Sequence, residues 1–242
     1  MIANFNLSEL FLFPIKDKET RNKFLIASLV YFVSFIIPIV PLIFAMGYTA
    51  RIMRDVINGK DLNMPAWDDW ESMFKEGLYL FGVRFAYTLP LIVIILPLYI
   101  GMMLTPFWLD ASSGANENTA TLFFLLFGAA MIIIFPLSLA LGIIVPAAEA
   151  HTVASSDFAA GFRIREWWAI FRANWSGFLL AYLIAIVASS ILSMLVGIAM
   201  VTIVLFCVIP FIMPAITAYL SLVMYAAFAQ AYKDGKAKLE TQ

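Results

Sequence analysis

The chain of 242 residues has one cysteine, one histidine and few charges, since only 13% of its residues are Asp, Glu, Lys or Arg. A lone cysteine excludes an intrachain disulfide, and a conventional metal site would need carboxylates that are scattered along the chain. The sequence also lacks a phosphate-binding Gly-rich loop, a Gly-x-Ser-x-Gly elbow, a His-Glu-x-x-His helix and a Cys-x-x-Cys pair. We therefore expect no enzymatic activity, no cofactor and no metal.

The chain is instead rich in apolar residues, which make up 63% of it, far above the roughly half that is usual in soluble domains. Fourteen of its 15 Lys and Arg residues fall in four short stretches separated by long apolar blocks: 16–23, 51–75, 163–172 and 233–238. Basic residues stay on the cytoplasmic side during insertion. The pattern therefore predicts a multi-pass protein of the cell membrane, with these stretches and both termini in the cytoplasm.

Crossing a hydrocarbon core of about 30 Å takes about 20 apolar residues, and they must be helical because backbone groups find no water there. The sequence thus predicts an all-α polytopic bundle with four spans: Leu78–Trp108, Thr119–Ala150, Gly177 to about Met200, and about Val201 to Tyr232. The polar stretch at 109–119 carries two acids and no base, so we expect it to be an external loop.

The apolar block at 24–48 does not fit a simple crossing, which would place the bases at 16–23 on the opposite side from the other three stretches. Pro38 and Pro41 lie at its midpoint, where each removes a helix donor and clashes with the preceding turn. We expect a shallow hairpin over 24–58 that turns back at these prolines. The alternative is a single kinked span, giving five spans and an external N-terminus.

These segments together form a single membrane domain over 1–242. Its expected order is a cytoplasmic interfacial segment at 1–23, the broken hairpin at 24–58, a cytoplasmic interfacial helix at 59–77, a second hairpin at 78–150, an interfacial segment at 151–176, a third hairpin at 177–232 and a cytoplasmic tail at 233–242. Amphipathic rings prefer the lipid headgroup layer, so we expect membrane-surface contacts from the tryptophans of the interfacial segments. They are Trp67, Trp70, Trp167 and Trp168.

Small residues recur every four positions in the third span: Gly177, Ala181, Ala185, Ser189, Ser193 and Gly197. Small side chains at this spacing form a groove into which another helix backbone settles. The ladder predicts a close helix contact along nearly the whole span, either with a helix of this chain or with another subunit.

Arg84 is the one base outside the four stretches, about two turns into a predicted span, where an unpaired guanidinium is costly. Glu149, near the cytoplasmic end of the next span, lies at a depth that Arg84 could reach. We expect an intramembrane ion pair between them, with a structural role; a gate or proton-coupled site is the alternative.

The stretch Gly47-Tyr48-x-x-Arg51-x-x-Arg54, followed by Gly59, Pro65-x-Trp67-x-Asp69 and Gly77, resembles the motif of a prokaryotic family of small membrane proteins catalogued as domain of unknown function 4013. Trp67 stands where such a family often has Phe. The resemblance implies an integral membrane protein and carries no established activity.

Arg51 and Arg54 lie one turn apart in this motif. They could contact either lipid phosphates or the acids at 67–76, and we expect a structural role.

We expect a non-enzymatic accessory, scaffold or assembly subunit of a membrane complex. Its partners would be the lipid bilayer and other membrane subunits that bind the small-residue face, with no nucleic acid. The alternative is a small-solute transporter or lipid-handling protein that uses a cavity near Arg84 and Glu149.

Overall fold

The computed structural model describes residues 6–111, 117–200 and 203–241, and these residues contain helices and no strands. The helices are α1 (Leu7–Leu12), α2 (Lys18–Ile36), α3 (Val40–Ile57), α4 (Trp70–Ala111), α5 (Glu117–Ser155), α6 (Ile164–Ala173), α7 (Trp175–Met200) and α8 (Ile203–Glu240). Short 3-10 turns occupy Phe13–Ile15 and Phe158–Phe162. The prediction of an all-α fold is confirmed.

Four of these helices contain segments that are long and apolar enough to cross a membrane: Trp70–Leu104, Phe124–Ser155, Trp175–Ile198 and Cys207–Glu240. The four predicted spans are thereby confirmed, and the protein is a multi-pass integral membrane protein. Of the predicted external loop at 109–119, residues 112–116 lie outside the described residues, and the residues on either side belong to the ends of α4 and α5.

The first apolar block breaks at its prolines as predicted. Helix α2 ends at Ile36 and α3 begins at Val40, with Pro38 in the gap. Pro41 lies in the first turn of α3, where a missing backbone N–H breaks no helical hydrogen bond. The two helices pack against each other and both pack against α8.

Contacts at the far end of this hairpin show that the chain turns back. The Nζ of Lys23, in α2, donates to the carbonyl of Met64 at 2.9 Å, and the Nε1 of Trp67 donates to the carbonyl of Lys23 at 3.1 Å. The beginning of α2 therefore lies beside the segment that follows α3. A single kinked crossing would separate them by the length of both helices, so that alternative is wrong.

Helix α3 ends at Ile57 and is followed by Asn58 and Gly59, residue types that commonly end a helix. Gly59 has φ +79°, a left-handed conformation that glycine adopts without steric cost. The N–H of Gly59 donates to the backbone carbonyl of Val56 at 3.0 Å, and the N–H of Lys60 donates to the backbone carbonyl of Asp55 at 2.9 Å. This pattern is a Schellman motif, which pairs the last carbonyls of the helix.

The interfacial helix predicted over 59–77 begins only at Trp70, where it is already the first turn of α4. Residues 60–66 have no regular structure because side chains of α3 take up nearby backbone groups. The hydroxyl of Tyr48 donates to the carbonyl of Pro65 at 2.9 Å, and Nη2 of Arg51 donates to that of Asp69 at 3.0 Å. Hydrogen bonds from side chains of α3 thereby replace the hydrogen bonds that a helix would form within this segment.

Contacts divide the chain into two compact units, the first comprising Met1–Val83 and Val145–Gln242, the second Arg84–Ile144. The C-terminal half of α8 forms the centre of the first unit, and α2, α3, α6 and α7 pack against it. Its buried side chains include Ala218, Leu222, Tyr225, Ala227, Phe228 and Tyr232. The second unit contains the remaining parts of α4 and α5, with exposed apolar side chains such as Ile132.

The first unit brings the four basic stretches together. Lys23 of the first stretch bonds to Met64 in the second. Lys238 of the fourth donates to Oδ1 of Asn174, just past the third, at 2.6 Å. Lys233 of the fourth lines a cavity of about 230 Å³ together with Lys60 of the second. All four stretches therefore meet at one end of this unit, which we call the charged end.

Candidate functional site

The motif singled out in the sequence folds into one cluster at the charged end, beginning with a backbone crossing. A Cβ on Gly47 of α3 would lie 1.8 Å from the carbonyl oxygen of Met73 of α4, and one on Gly77 would lie 1.8 Å from that of Ile43. No side chain fits at either position. The two glycines therefore allow α3 and α4 to cross in backbone contact.

Aromatic rings hold the intervening loop against α3. The ring of Trp67 stacks on Tyr48, with centroids 4.0 Å apart and planes 4° from parallel. Its indole N–H bonds to Lys23 while the Tyr48 hydroxyl bonds to Pro65. Both polar ends of the stacked pair are thus satisfied, as buried aromatic residues require. The stack joins α2, α3 and the loop.

The two motif arginines form ion pairs with acids that follow the loop. Arg51 Nη1 lies 3.1 Å from Oδ1 of Asp68, and its Nη2 lies 3.1 Å from Oδ2 of Asp69. Arg54 Nη1 lies 2.7 Å from Oε1 of Glu76. The hydrogen bond from Arg51 lowers the pKa of Asp68 below its usual value. Of the two contacts considered in the sequence, the structure shows the one with acids; a lipid-phosphate contact stays a prediction.

A cavity of about 450 Å³ adjoins this cluster. Its walls come from the end of α3, the first three turns of α4 and the last residues of α5. They are formed by Arg54, Asp69, Glu71, Ser72, Lys75, Glu76, Tyr79, Leu80, Thr152, Val153 and Ser156. The lining thus carries acids, bases and hydroxyls above a partly apolar floor, an arrangement that can hold a polar ligand.

The sequence matches the family described as "Protein of unknown function (DUF4013)" over residues 30–201, more than half of the chain. The protein belongs to the DUF4013 family. The match contains the whole motif cluster, from Gly47 to Gly77, and the predicted recognition is confirmed. Neither the curated proteins nor the solved structures contain a match to the chain.

The tryptophans of this DUF4013 protein differ in exposure. Trp70 is 45% exposed and Trp168 is 36% exposed, so both have surface available for the predicted membrane contact. Trp67 is half-buried on Tyr48, and Trp167 is only 2% exposed. Trp167 therefore contacts protein instead of the membrane surface, because α6 turns its apolar face toward α8.

The small-residue ladder of α7 is covered over only half of its length. Gly177 and Ala181 are buried, and Ala185 and Ser189 are half-buried. Ser193 is exposed, and no described atom lies within 4 Å of a Cβ built on Gly197. Within the chain the ladder is therefore packed over its first half. A contact over its second half, with another subunit, stays a prediction.

The predicted ion pair of Arg84 and Glu149 stays a prediction. Glu149 is fully buried near the end of α5 in the first unit, whereas Arg84 is half-buried on α4 in the second. The hydroxyl of Thr88 donates to the backbone carbonyl of Arg84 at 2.8 Å.

Two clusters of polar side chains could not be predicted from the sequence. His151 Nδ1 lies 2.7 Å from the hydroxyl of Tyr232, and its Nε2 lies 3.0 Å from Oε2 of Glu166. Asn174 donates through Nδ2 to the carbonyl of Ala231 at 2.9 Å. These contacts tie α5, α6 and the start of α7 to α8. Partners separated by 15 to 81 residues leave no local pattern to read.

Proposed function

We propose that this protein is a non-enzymatic subunit of a membrane complex, acting in assembly or as a scaffold through the open half of the α7 ladder. The observation that supports the proposal is the exposure of Ser193 and Gly197 at the end of an otherwise packed small-residue face. Only 6% of the most apolar window of α7 is buried within the chain, against 22% for α8. Most of α7 is therefore available to lipid or to another protein.

Small residues matter at such a surface because lipid tails are as apolar as leucine and provide no hydrophobic drive for helix association. Helix association is driven instead by close backbone approach, van der Waals contact and hydrogen bonds from hydroxyl groups. A lipid chain gains little from the groove beside Gly197, whereas a partner helix gains close contact and can accept a hydrogen bond from Ser193. The open half of the ladder is thus better suited to a helix than to lipid.

Cysteine crosslinking in native membranes tests this proposal. The single native cysteine is removed by Cys207→Ser, and Ser193→Cys or Gly197→Cys is then introduced. Leu195→Cys is the matched control, because Leu195 is 56% exposed and lies two residues, about 200°, around the helix from both. We expect crosslinks to one partner of defined mass from 193 and 197 and none from 195. Equal labelling with no crosslink from any position would remove the support for an assembly role.

We further propose that the charged end faces the cytoplasm of the cell, because four basic stretches meet there. Lys16→Cys and Gly114→Cys, each in the Cys207→Ser background, test the orientation with a membrane-impermeant thiol reagent. We expect labelling of position 114 in intact cells and of position 16 only after permeabilisation. The reverse pattern would contradict the assignment.

Lipid handling is the second candidate function. It is favoured by an apolar groove of about 500 Å³ between α1 and α7, lined by residues such as Phe11, Leu183 and Val187.

A further inference from the structure

The cavity at the charged end has a charge arrangement that none of the motif residues explains. Arg54 Nη1 and the hydroxyl of Ser72 both bind Oε1 of Glu76, at 2.7 and 2.9 Å, and Arg51 pairs with Asp69. These contacts neutralise two of the three carboxylates in the lining. The charges that remain are the carboxylate of Glu71 and the ammonium of Lys75.

Glu71 and Lys75 have opposite charges and lie four residues apart on α4, so they project from the same face of the helix. Both are exposed, and no ion pair joins either of them to another residue that the structure describes. The Nζ of Lys75 lies 5.9 Å from the centroid of the Tyr79 ring, within the lining. The mouth of the cavity therefore offers one positive and one negative group side by side.

We propose that this cavity binds an aminophosphate group, in which an ammonium and a phosphate ester are joined by a two-carbon linker. Such a group occurs as the headgroup of ethanolamine phospholipids and as soluble phosphoethanolamine. The phosphate binds Lys75, and the ammonium binds Glu71. This inference does not depend on the assembly role proposed above.

The wall of the cavity at α5 supports the ammonium end of this ligand. The last turn of α5 presents the negative end of a helix dipole, which favours a cation. Ser156 continues from α5 with φ +51°, a conformation that a residue other than glycine adopts at a cost. It closes the helix in a Schellman motif where glycine is usual, and it adds a hydroxyl to the lining.

Ligands with a single charge fit less well. A free anion is repelled by Glu71, and a free cation gains only one unpaired carboxylate while being repelled by Lys75. The volume of about 450 Å³ falls in the range of small-molecule sites, about 300 to 1,000 Å³. Leu80 and Val153 are buried at its floor and provide an apolar surface for the linker carbons.

Native mass spectrometry of the purified full chain tests the proposal with equal amounts of phosphatidylethanolamine, phosphatidylcholine and phosphatidylglycerol. The choline headgroup lacks the N–H donors of ethanolamine, and the glycerol headgroup lacks the positive charge. We expect phosphatidylethanolamine to be retained about tenfold better than either, as one charge-assisted hydrogen bond allows. Equal retention of the three lipids would overturn the proposal.

Variants locate the binding. Lys75→Gln and Glu71→Gln should each abolish the preference, whereas Lys236→Gln and Glu240→Gln, both exposed on α8 outside the cavity, should keep it. All four side chains are exposed, so none of these changes removes a buried contact. A preference that survives both cavity substitutions would overturn the proposal.

Competition with soluble phosphoethanolamine separates the two sources of the ligand. Displacement of the lipid at millimolar concentration indicates a site that binds the soluble compound. Retention of the lipid with the headgroup preference intact indicates that the acyl chains contribute and that the lipid is the natural occupant. Both outcomes support recognition of an aminophosphate group.

Discussion

Substitution of Gly47 by alanine should destabilise the protein, although it adds only one methyl group. The added Cβ would lie 1.8 Å from the carbonyl oxygen of Met73, about 1.5 Å closer than a carbon and an oxygen normally approach. Because both groups are fixed to helix backbones, no side chain can rotate away. Helices α3 and α4 must move apart to relieve the clash.

The expected magnitude follows from two opposing contributions. Overpacking costs about 1 to 3 kcal/mol where flexible side chains give way, and we expect about 3 kcal/mol at this backbone contact. Alanine regains about 1 kcal/mol of helix propensity relative to glycine. The net loss of about 2 kcal/mol should lower the unfolding temperature by about 4 to 8 °C in a chain of this length. Gly77→Ala should behave alike, because its Cβ would lie 1.8 Å from the carbonyl oxygen of Ile43.

The unfolding temperature is measured as the midpoint for loss of monodisperse full-length protein on size-exclusion chromatography in mild detergent. Gly128→Ala is the control, since nothing lies within 4 Å of a Cβ built there and alanine should only stabilise. One separation of the helices accommodates both methyl groups, so Gly47→Ala with Gly77→Ala should cost less than the sum of the two. The reasoning is refuted if both single variants unfold at the same temperature as the Gly128→Ala control, at or above the temperature of the wild-type protein.

Two further substitutions test the charged end by the same measurement. Arg54→Gln should cost about 2 kcal/mol, because it leaves the carboxylate of Glu76, which is 14% exposed, without its cation; adding Glu76→Gln should recover most of that loss. Asn174→Ala should cost about 1 kcal/mol, because it removes the buried hydrogen bond from Nδ2 to the carbonyl of Ala231. An Arg54→Gln protein as stable as the double variant, or an Asn174→Ala protein as stable as wild type, would contradict these assignments.

The break and return of the first apolar block could be predicted because its signals are single residues or the distribution of charge along the whole chain. None of these signals depends on which residues contact each other in the fold. Pro38 and Pro41 disrupt a helix wherever they stand, and Asn58-Gly59 ends one. The distribution of bases constrains every span at once. No knowledge of which side chains touch is needed for any of these steps.

The loop at 60–69 could not be predicted because its backbone is satisfied by residues far away in sequence. Pro65 followed by acids is a typical helix start, so the local sequence favours a helix in this segment. In the structure the hydroxyl of Tyr48 and the guanidinium of Arg51 donate hydrogen bonds to backbone carbonyls of this segment. The cavity escaped prediction for the same reason, since it needs the ends of α3, α4 and α5 together.

The motif is best understood as the attachment of the first hairpin to α4. Gly47 and Gly77 form the backbone crossing, Tyr48 stacks on the loop, and Arg51 and Arg54 hold the acids that follow it. Each of these side chains is occupied by a contact within the chain. A ligand must therefore be recognised by neighbours that the motif leaves unoccupied, which at this end of the protein include Glu71 and Lys75. Substitutions in the motif should then reduce protein level and binding together, whereas substitutions at those two neighbours should reduce binding alone.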